Sequence, residues 1–307
     1  MRAKDRARAA DLDVRLQAYS RTKCSLRGVR RRRERDAFVA QLVDSIRRVE
    51  YVHAIRVRDV CSLRSDPTTD LFDPLKSALL FKARGKLDDA FWMVFLFTHF
   101  GKHAETGWQL VREVHGGLGR RVWSWDFVSA QTARFCSWLD RNHGSFKGMF
   151  GNHRKYESLR PDARFPTSLV VRSYIDWVGP SESHESLVAK AVEESDGSPG
   201  GMFAWLMNDM KKVARFGRLA RFDHLAMIGK LGMADIKPES PFLQGATGPL
   251  KGARLLFDDN LSSSRSARDL DARIIELGIF LGVGMQEMED AMCNWQKSPS
   301  SYLAFRG

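Results

Sequence analysis

Apolar residues recur at helical spacing along most of this chain, and alternation at period two is almost absent. From Asp36 onward, Phe38, Leu42, Val43, Ile46 and Val49 fall on one face of a helix. The polar stretch Ser65-Asp66-Pro67-Thr68-Thr69 ends that pattern. Asp88 and Asp89 then stand where the first turn of a helix favours carboxylates. The run Phe91-Trp92-Met93-Val94-Phe95-Leu96-Phe97 follows directly; it is far too short for a membrane span and predicts a buried helix ending near Phe100-Gly101.

Residues 127–139 predict another helix, followed by a loop punctuated by Gly144, Gly148 and Gly151. Leu206, Met210, Val213 and Phe216 give further helical spacing. Leu219, Phe222, Leu225 and Ile228 give a second such stretch, which Gly232 is placed to stop. Leu270, Ile274, Leu277 and Leu281 recur at i, i+4, i+7 and i+11. Residues 168–174 are the one stretch compatible with a short strand, and no internal repeat stands out. The expected fold class is all-α. Ser195-Asp196-Gly197-Ser198-Pro199-Gly200-Gly201 reads as a linker between lobes at about 67–194 and 202–307, behind a basic N-terminal arm and helix over 1–66.

Composition narrows the class. With 43% hydrophobic and 28% charged residues among 307, the chain can bury a real core, and global disorder is excluded. A charged N-terminus without an apolar stretch behind it does not resemble a signal peptide, and no membrane association is expected. Cys24, Cys61, Cys136 and Cys293 are scattered, with no CxxC pair, so neither a zinc ribbon nor a disulfide framework is suggested. The cytoplasm is the expected compartment. A net charge of +12 points to a polyanionic partner. Residues 1–60 carry 17 Lys and Arg against 8 acids, so most of the excess lies there, densest at Arg30, Arg31, Arg32, Arg33 and Arg35. Phosphate contact and a solvated helix face both account for that cluster.

The most informative segment is Gln244-Gly245-Ala246-Thr247-Gly248-Pro249-Leu250-Lys251-Gly252-Ala253-Arg254. Glycines three apart suit a tight turn, and Pro249 suits the start of a helix. Backbone N–H groups at Gly245, Thr247 and Gly248 can face a phosphate there, with Lys251 and Arg254 adding charge. A plain interhelical turn is the alternative. The segment resembles the helix-hairpin-helix of DNA glycosylases, whose hairpin reads Leu-Pro-Gly-Val-Gly, although here the glycines enclose two residues. Those enzymes follow the hairpin with a helix beginning Val-Asp-Thr-His-Val and ending Leu-Gly. Here Leu270-Asp271-Ala272-Arg273-Ile274 runs on to Leu281-Gly282, so the functional Asp falls on Asp271 while Arg273 stands where the family has His. Asp269 competes for that role, and an exposed acid serving the helix dipole is the structural alternative. Lys237 and Lys230 precede the hairpin, but neither is spaced tightly enough to claim a Schiff base. No four-cysteine cluster follows the acid helix, which excludes the iron–sulfur variant of that fold.

Further stretches narrow the resemblance. They are Thr98-His99-Phe100-Gly101-Lys102-His103 with Gly107-Trp108, then residues 150–157 (Phe-Gly-Asn-His-Arg-Lys-Tyr-Glu), then Phe216-Gly217-Arg218-Leu219-Ala220-Arg221-Phe222-Asp223, the hairpin, and residues 289–299. Together they resemble the alpha-glutamyl/putrescinyl thymine pyrophosphorylase family, most closely its third clade, over roughly 72–299. The resemblance implies a glycosylase-like helical fold and a part in thymine hypermodification, known chiefly from bacteriophages. In that chemistry an amine from an amino acid or polyamine displaces pyrophosphate from a pyrophosphorylated 5-hydroxymethyluracil in DNA. The implied partners are DNA and the amine donor.

The resemblance makes Lys102, His103, Asn152, His153, Arg154 and Lys155 candidates for the pyrophosphate or substrate. Arg218, Arg221, Asn294 and Lys297 join them, with Asp271 as the catalytic carboxylate. Cations that clamp oxyanions stabilise the leaving group, and a carboxylate can take the proton of the attacking amine. For each cation, a surface charge or DNA-backbone contact is the alternative. His99 and His103, at i and i+4, could hold a metal, but no third ligand accompanies them, so no metal or cofactor is expected. Trp295 could stack on a base or sit in the core, and Cys293 could add to a pyrimidine or be a buried thiol. A glycosylase that removes a modified base, and a DNA-binding module without chemistry, are the competing readings.

Overall fold

In a computed structural model the structure describes residues 3–304, which form fourteen α-helices and, apart from two isolated bridges, no β-structure. The all-α expectation is met. The basic N-terminal arm is helical and packed: α1, Ala3–Thr22, places Leu12, Leu16 and Tyr19 on one buried face, and α2 follows over Arg32–Arg56. Basic composition masked an apolar stripe at i, i+4 and i+7.

The succession continues with α3 (Pro74–Ala83), α4 (Leu87–Phe100), α5 (Gln109–His115), α6 (Trp125–Ala130) and α7 (Thr132–Asn142). The helix predicted over 127–139 is therefore two, broken at Gln131 (φ −129°, ψ 45°). The strand expected at 168–174 is instead part of α8, Thr167–Val178. Val170, Val171, Tyr174, Ile175 and Val178 are all buried there, and a continuous helical face outweighs the β preference of a Val-Val pair. Next come α9 (His184–Glu193), α10 (Pro199–Asp209) and α11 (Arg218–Leu231), the last closed by Gly232 in the left-handed region as its position suggested. Last are α12 (Gly248–Asp258), α13 (Ala267–Leu281) and α14 (Met285–Trp295).

The chain divides into two compact units, one joining the N-terminal segment through Val52 to the segment from Pro238 onward, the other His53–Lys237. The glycine-rich stretch 195–201 lies inside the second. There Ser198 accepts the N–H of Gly201 at 3.0 Å to cap α10, and Lys237 donates to the Pro199 carbonyl at 3.2 Å. Local Gly and Pro content marked a turn and a cap rather than a boundary.

In the first unit, Leu16, Tyr19, Phe38 and Leu42 pack with Leu256, Leu270, Ile274, Leu277 and Trp295. Two glycines permit close backbone approach: a Cβ on Gly28 would lie 2.1 Å from the Leu255 carbonyl oxygen, and one on Gly252 2.4 Å from that of Met292. Trp295 is fully buried and donates to the Pro299 carbonyl at 2.9 Å, which settles it as a core residue.

The second unit is built on α4, buried from Ala90 through Leu96 and again at Thr98, His99 and Phe100. Phe95 stacks on Tyr174 at 4.0 Å, and Trp125 packs on His184 at 4.4 Å. A buried polar chain crosses this cluster. Asp88 accepts the backbone N–H and Nδ1 of His184, both at 2.7 Å, and the Tyr174 hydroxyl lies 2.8 Å from Nε2. Burial holds the His184 ring below its ordinary pKa despite Asp88, and the hydrogen bonds from His184 outweigh burial in lowering that of Asp88. Both directions fit a neutral ring donating to a carboxylate and accepting from Tyr174. No helix among the described residues is long and apolar enough to cross a membrane.

Candidate functional site

Three sequence motifs far apart in the chain converge at the C-terminal end of α4. Gly101, at φ +66°, ends the helix and turns the chain into a tight loop in which His103 and Gly107 exchange backbone hydrogen bonds at 3.0 Å. The Nδ1 of His103 accepts the N–H groups of Glu105 (3.2 Å) and Thr106 (3.3 Å). That arrangement leaves the ring proton of the neutral form on Nε2, as a donor. Lys102 stands 6.0 Å over the ring of Trp108.

The loop over 143–166 lies against this turn. Glu113 accepts the N–H groups of Lys147 and Gly148, Gly151 donates to the Phe100 carbonyl at 2.8 Å, and Arg154 Nε donates to the Thr98 carbonyl at 2.7 Å. Glycine is required at two of these points, since a Cβ on Gly148 would lie 2.1 Å from Leu110 N and one on Gly151 2.8 Å from the Lys102 carbonyl oxygen. The third motif closes the cluster. Asp223 sits 3.7 Å from Arg154, Phe216 stacks on Phe95, and His224 Nδ1 lies 3.5 Å from the Thr98 hydroxyl.

The predicted cations separate by role once placed. Arg154 is mostly buried, and burial lowers its pKa more than Asp223 and Glu157 restore it; it ties the loop to α4. Arg221 donates to the Met207 carbonyl at 2.7 Å, satisfying the end of α10, and Arg218 lies 4.5 Å over the Phe222 ring. Asn152, His153 and Lys155 are exposed on a short turn whose preceding Gly151 abuts Lys102. His99 is buried, 3.3 Å from the Thr167 hydroxyl, and burial, then Arg154 and Arg215, hold it down to about 3. It therefore sits as a neutral core ring, while His103 is fastened to its own loop.

Beside Lys102 opens a cleft of about 370 Å³ whose lining includes Arg64, Asp70, Lys102, Glu105, Trp108 and Arg112. It carries both signs of charge. Arg112 pairs with Asp70, and Arg64 donates to the Leu71 carbonyl at 3.0 Å. Arg64 and Arg112 were not singled out from sequence. They come from a 3-10 turn and from α5, and only folding brings them to Lys102.

The remaining candidates lie in the first unit. The Asp271 carboxylate accepts the Leu243 N–H at 3.1 Å and the Ser240 hydroxyl at 3.1 Å. Asp269 pairs instead with Arg265 and Arg273. The hairpin turn is closed by Ala246 donating to the Leu243 carbonyl at 2.9 Å, with Gly245 at φ +76° and Gly245, Thr247 and Lys251 all exposed. Gly248 begins α12 against Cys293, whose sulfur would lie 2.7 Å from an added Cβ. Arg254 donates to the Arg265 carbonyl at 3.4 Å. Asn294 is buried, donating to Asp290 and accepting from Lys297 at 3.1 Å. Arg33 donates to the Ser300 carbonyl and Arg35 pairs with Asp13, so part of the basic cluster is structural.

A protein-family model described as alpha-glutamyl/putrescinyl thymine pyrophosphorylase clade 3 matches residues 33–307, reaching well into the basic N-terminal segment. No curated protein and no solved structure matches the chain.

Proposed function

Since this chain belongs to the alpha-glutamyl/putrescinyl thymine pyrophosphorylase family, clade 3, we propose that it exchanges pyrophosphate for an amine on a thymine derivative in DNA. The observation that carries this reading is the mixed-charge cleft beside Lys102, which the first family motif lines with Lys102, Gly107 and Trp108. Arg64, Lys102 and Arg112 suit a departing pyrophosphate, and Asp70 and Glu105 suit the ammonium of an amine donor.

In the proposed reaction the amine lone pair forms a C–N bond to the 5-methylene of the base. The C–O bond to pyrophosphate breaks, and its electron pair leaves on the pyrophosphate oxygen. The proton lost by the amine goes to a carboxylate: Asp70 and Glu105 lie in the cleft itself, and the family resemblance gives the role to Asp271, which Leu243 and Ser240 hold. His103, with Nε2 free to donate in the neutral form, and the exposed His153 and Lys155 supply further donors to the anion. The exposed turn at Gly245 and Thr247, with Lys251 beyond it, is the assigned DNA-backbone contact, in the manner of a helix-hairpin-helix. The reacting methylene projects into the major groove of a duplex, and we assign local opening or flipping of the base as the step that frees both sides of its C–O bond for in-line attack.

The test is incubation of the full chain with an oligonucleotide bearing the pyrophosphate ester of 5-hydroxymethyluracil, with glutamate or putrescine as donor. Pyrophosphate release, an intact strand and a base heavier by the amine support transfer. An abasic site would replace this reading with a glycosylase, and binding without product would leave a DNA-binding module.

A further inference from the structure

The 143–166 loop carries two aromatic rings that neither the cleft nor the proposed chemistry uses. Tyr156 is 79% exposed and Phe165 37%, on a loop with five Lys and Arg against two acids. Large aromatic side chains are usually covered, so two exposed rings on one cationic loop call for an occupant. The rings are not isolated. Lys155 lies 5.2 Å from the Tyr156 centroid, Arg164 lies 5.2 Å from that of Phe165, and Arg215 approaches the same Phe165 ring at 5.7 Å.

Arg215 also binds the patch together. Its guanidinium donates to both carboxylate oxygens of Glu157 and, at 3.3 Å, to the Tyr156 carbonyl. It does so from a left-handed backbone conformation, φ +63°, which a non-glycine residue adopts only when its surroundings impose it. The segment bearing Tyr156 and the ring of Phe165 are thus set around one fixed cation. Lys155 and Arg164 have no ion pair among the described residues; each holds its charge beside a ring.

Exposed rings interleaved with cations match the chemistry of single-stranded nucleic acid, in which bases stack on the rings and phosphates meet the cations. A duplex hides its base faces, so it cannot use Tyr156 or Phe165 in this way. We infer that Tyr156 and Phe165, framed by Lys155, Arg164 and Arg215, form a stacking platform for an unpaired segment of DNA. The inference rests on the reading that the substrate is DNA, and adds to it that the strand is engaged unpaired, next to the cluster where the family motifs meet.

The test measures binding of the full chain to a fluorescein-labelled, thymine-rich 15-mer, single-stranded and as a duplex, at several salt concentrations. The Tyr156→Ala/Phe165→Ala variant should bind the single strand at least tenfold more weakly, with its salt slope and its duplex binding nearly unchanged. Tyr156→Phe/Phe165→Tyr should bind like the wild type, while Lys155→Ala/Arg164→Ala should flatten the salt slope. In parallel, a strand carrying 5-bromouracil should photocrosslink to the peptide containing Tyr156 or Phe165. Single-strand binding of the alanine pair within twofold of wild type, or crosslinks that all map outside 143–169, would overturn the platform. Loss of the proposed transfer activity on modified DNA, with this binding retained, would sink the reaction and leave the platform standing.

Discussion

Asp271 on the second turn of α13 accepts the backbone N–H of Leu243, the residue that opens the hairpin turn, at 3.1 Å. One carboxylate thereby fixes the start of the acid helix against the turn proposed to meet DNA. Asp271→Asn keeps an acceptor oxygen for Leu243 and Ser240 but removes the charge. It should leave the melting temperature within a few degrees of wild type while slowing pyrophosphate release at least about 100-fold. A near-wild-type rate removes Asp271 from the chemistry. Asp271→Ala strands the Leu243 N–H and should destabilise the fold by about 1–3 kcal/mol in urea titration.

Arg154 is the pin of the 143–166 loop. Arg154→Met keeps the apolar stem of the side chain but loses the bond to the Thr98 carbonyl and the pairing with Asp223. We expect a destabilisation of about 1–3 kcal/mol. Trypsin should also cut faster at Lys147, Lys155 and Arg164 under native conditions. Unchanged cleavage and an unchanged melting temperature would show that the loop is held by its glycine contacts alone.

Buried neutral histidines make the fold acid-sensitive. Burial holds His99 and His224 down to about 3 and His115 to about 4, against an ordinary 6.5. Below pH 6.5 the unfolded chain binds protons that the folded chain does not. Stability is therefore full above 6.5 and falls with decreasing pH toward the folded values, by about 1 kcal/mol per histidine between pH 6.5 and 5.5. Asp88, lowered in the fold, adds a further loss at more acid pH. Urea midpoints measured from pH 7.5 to 5 should decline; a flat profile would mean the rings are protonated in the folded state.

The contact of α12 with α14 depends on Gly252, whose added Cβ would meet the Met292 carbonyl oxygen at 2.4 Å. Gly252→Ala should destabilise the protein by about 1–3 kcal/mol, because backbone must move. Gly245→Ala has open space around it but φ +76°, so strain of about 1–2 kcal/mol is expected there without any clash. If Gly245→Ala proves the more damaging in denaturation, the close approach of the two helices is not what holds this part of the fold.

Much of the helical framework was legible because it is local. The stripe Leu270, Ile274, Leu277 and Leu281 is buried on α13, and Asp88 and Asp89 do open α4. Where local preference and packing disagreed, packing prevailed: 168–174 is helical because its apolar residues serve one buried face, and the glycine-rich 195–201 caps a helix inside a unit. The candidate site was legible as a set of motifs but not as an arrangement. Nothing in sequence order says that Arg154 turns inward to Thr98 while Lys155 turns outward to Tyr156, or that Arg64 and Arg112 reach Lys102.

By itself the sequence determined the helical class, the basic character and the family, since periodicity, charge and motif spelling are properties of the chain in order. The tertiary structure decided that the N-terminal segment packs with the C-terminal helices, that Asp271 is tied to Leu243, and that the loops at 98–107 and 143–166 form one cluster with the start of α11. Those outcomes depend on which apolar faces bury each other and on where glycine lets two backbones touch. Both are relations between residues far apart in the chain, and they exist only once it is folded.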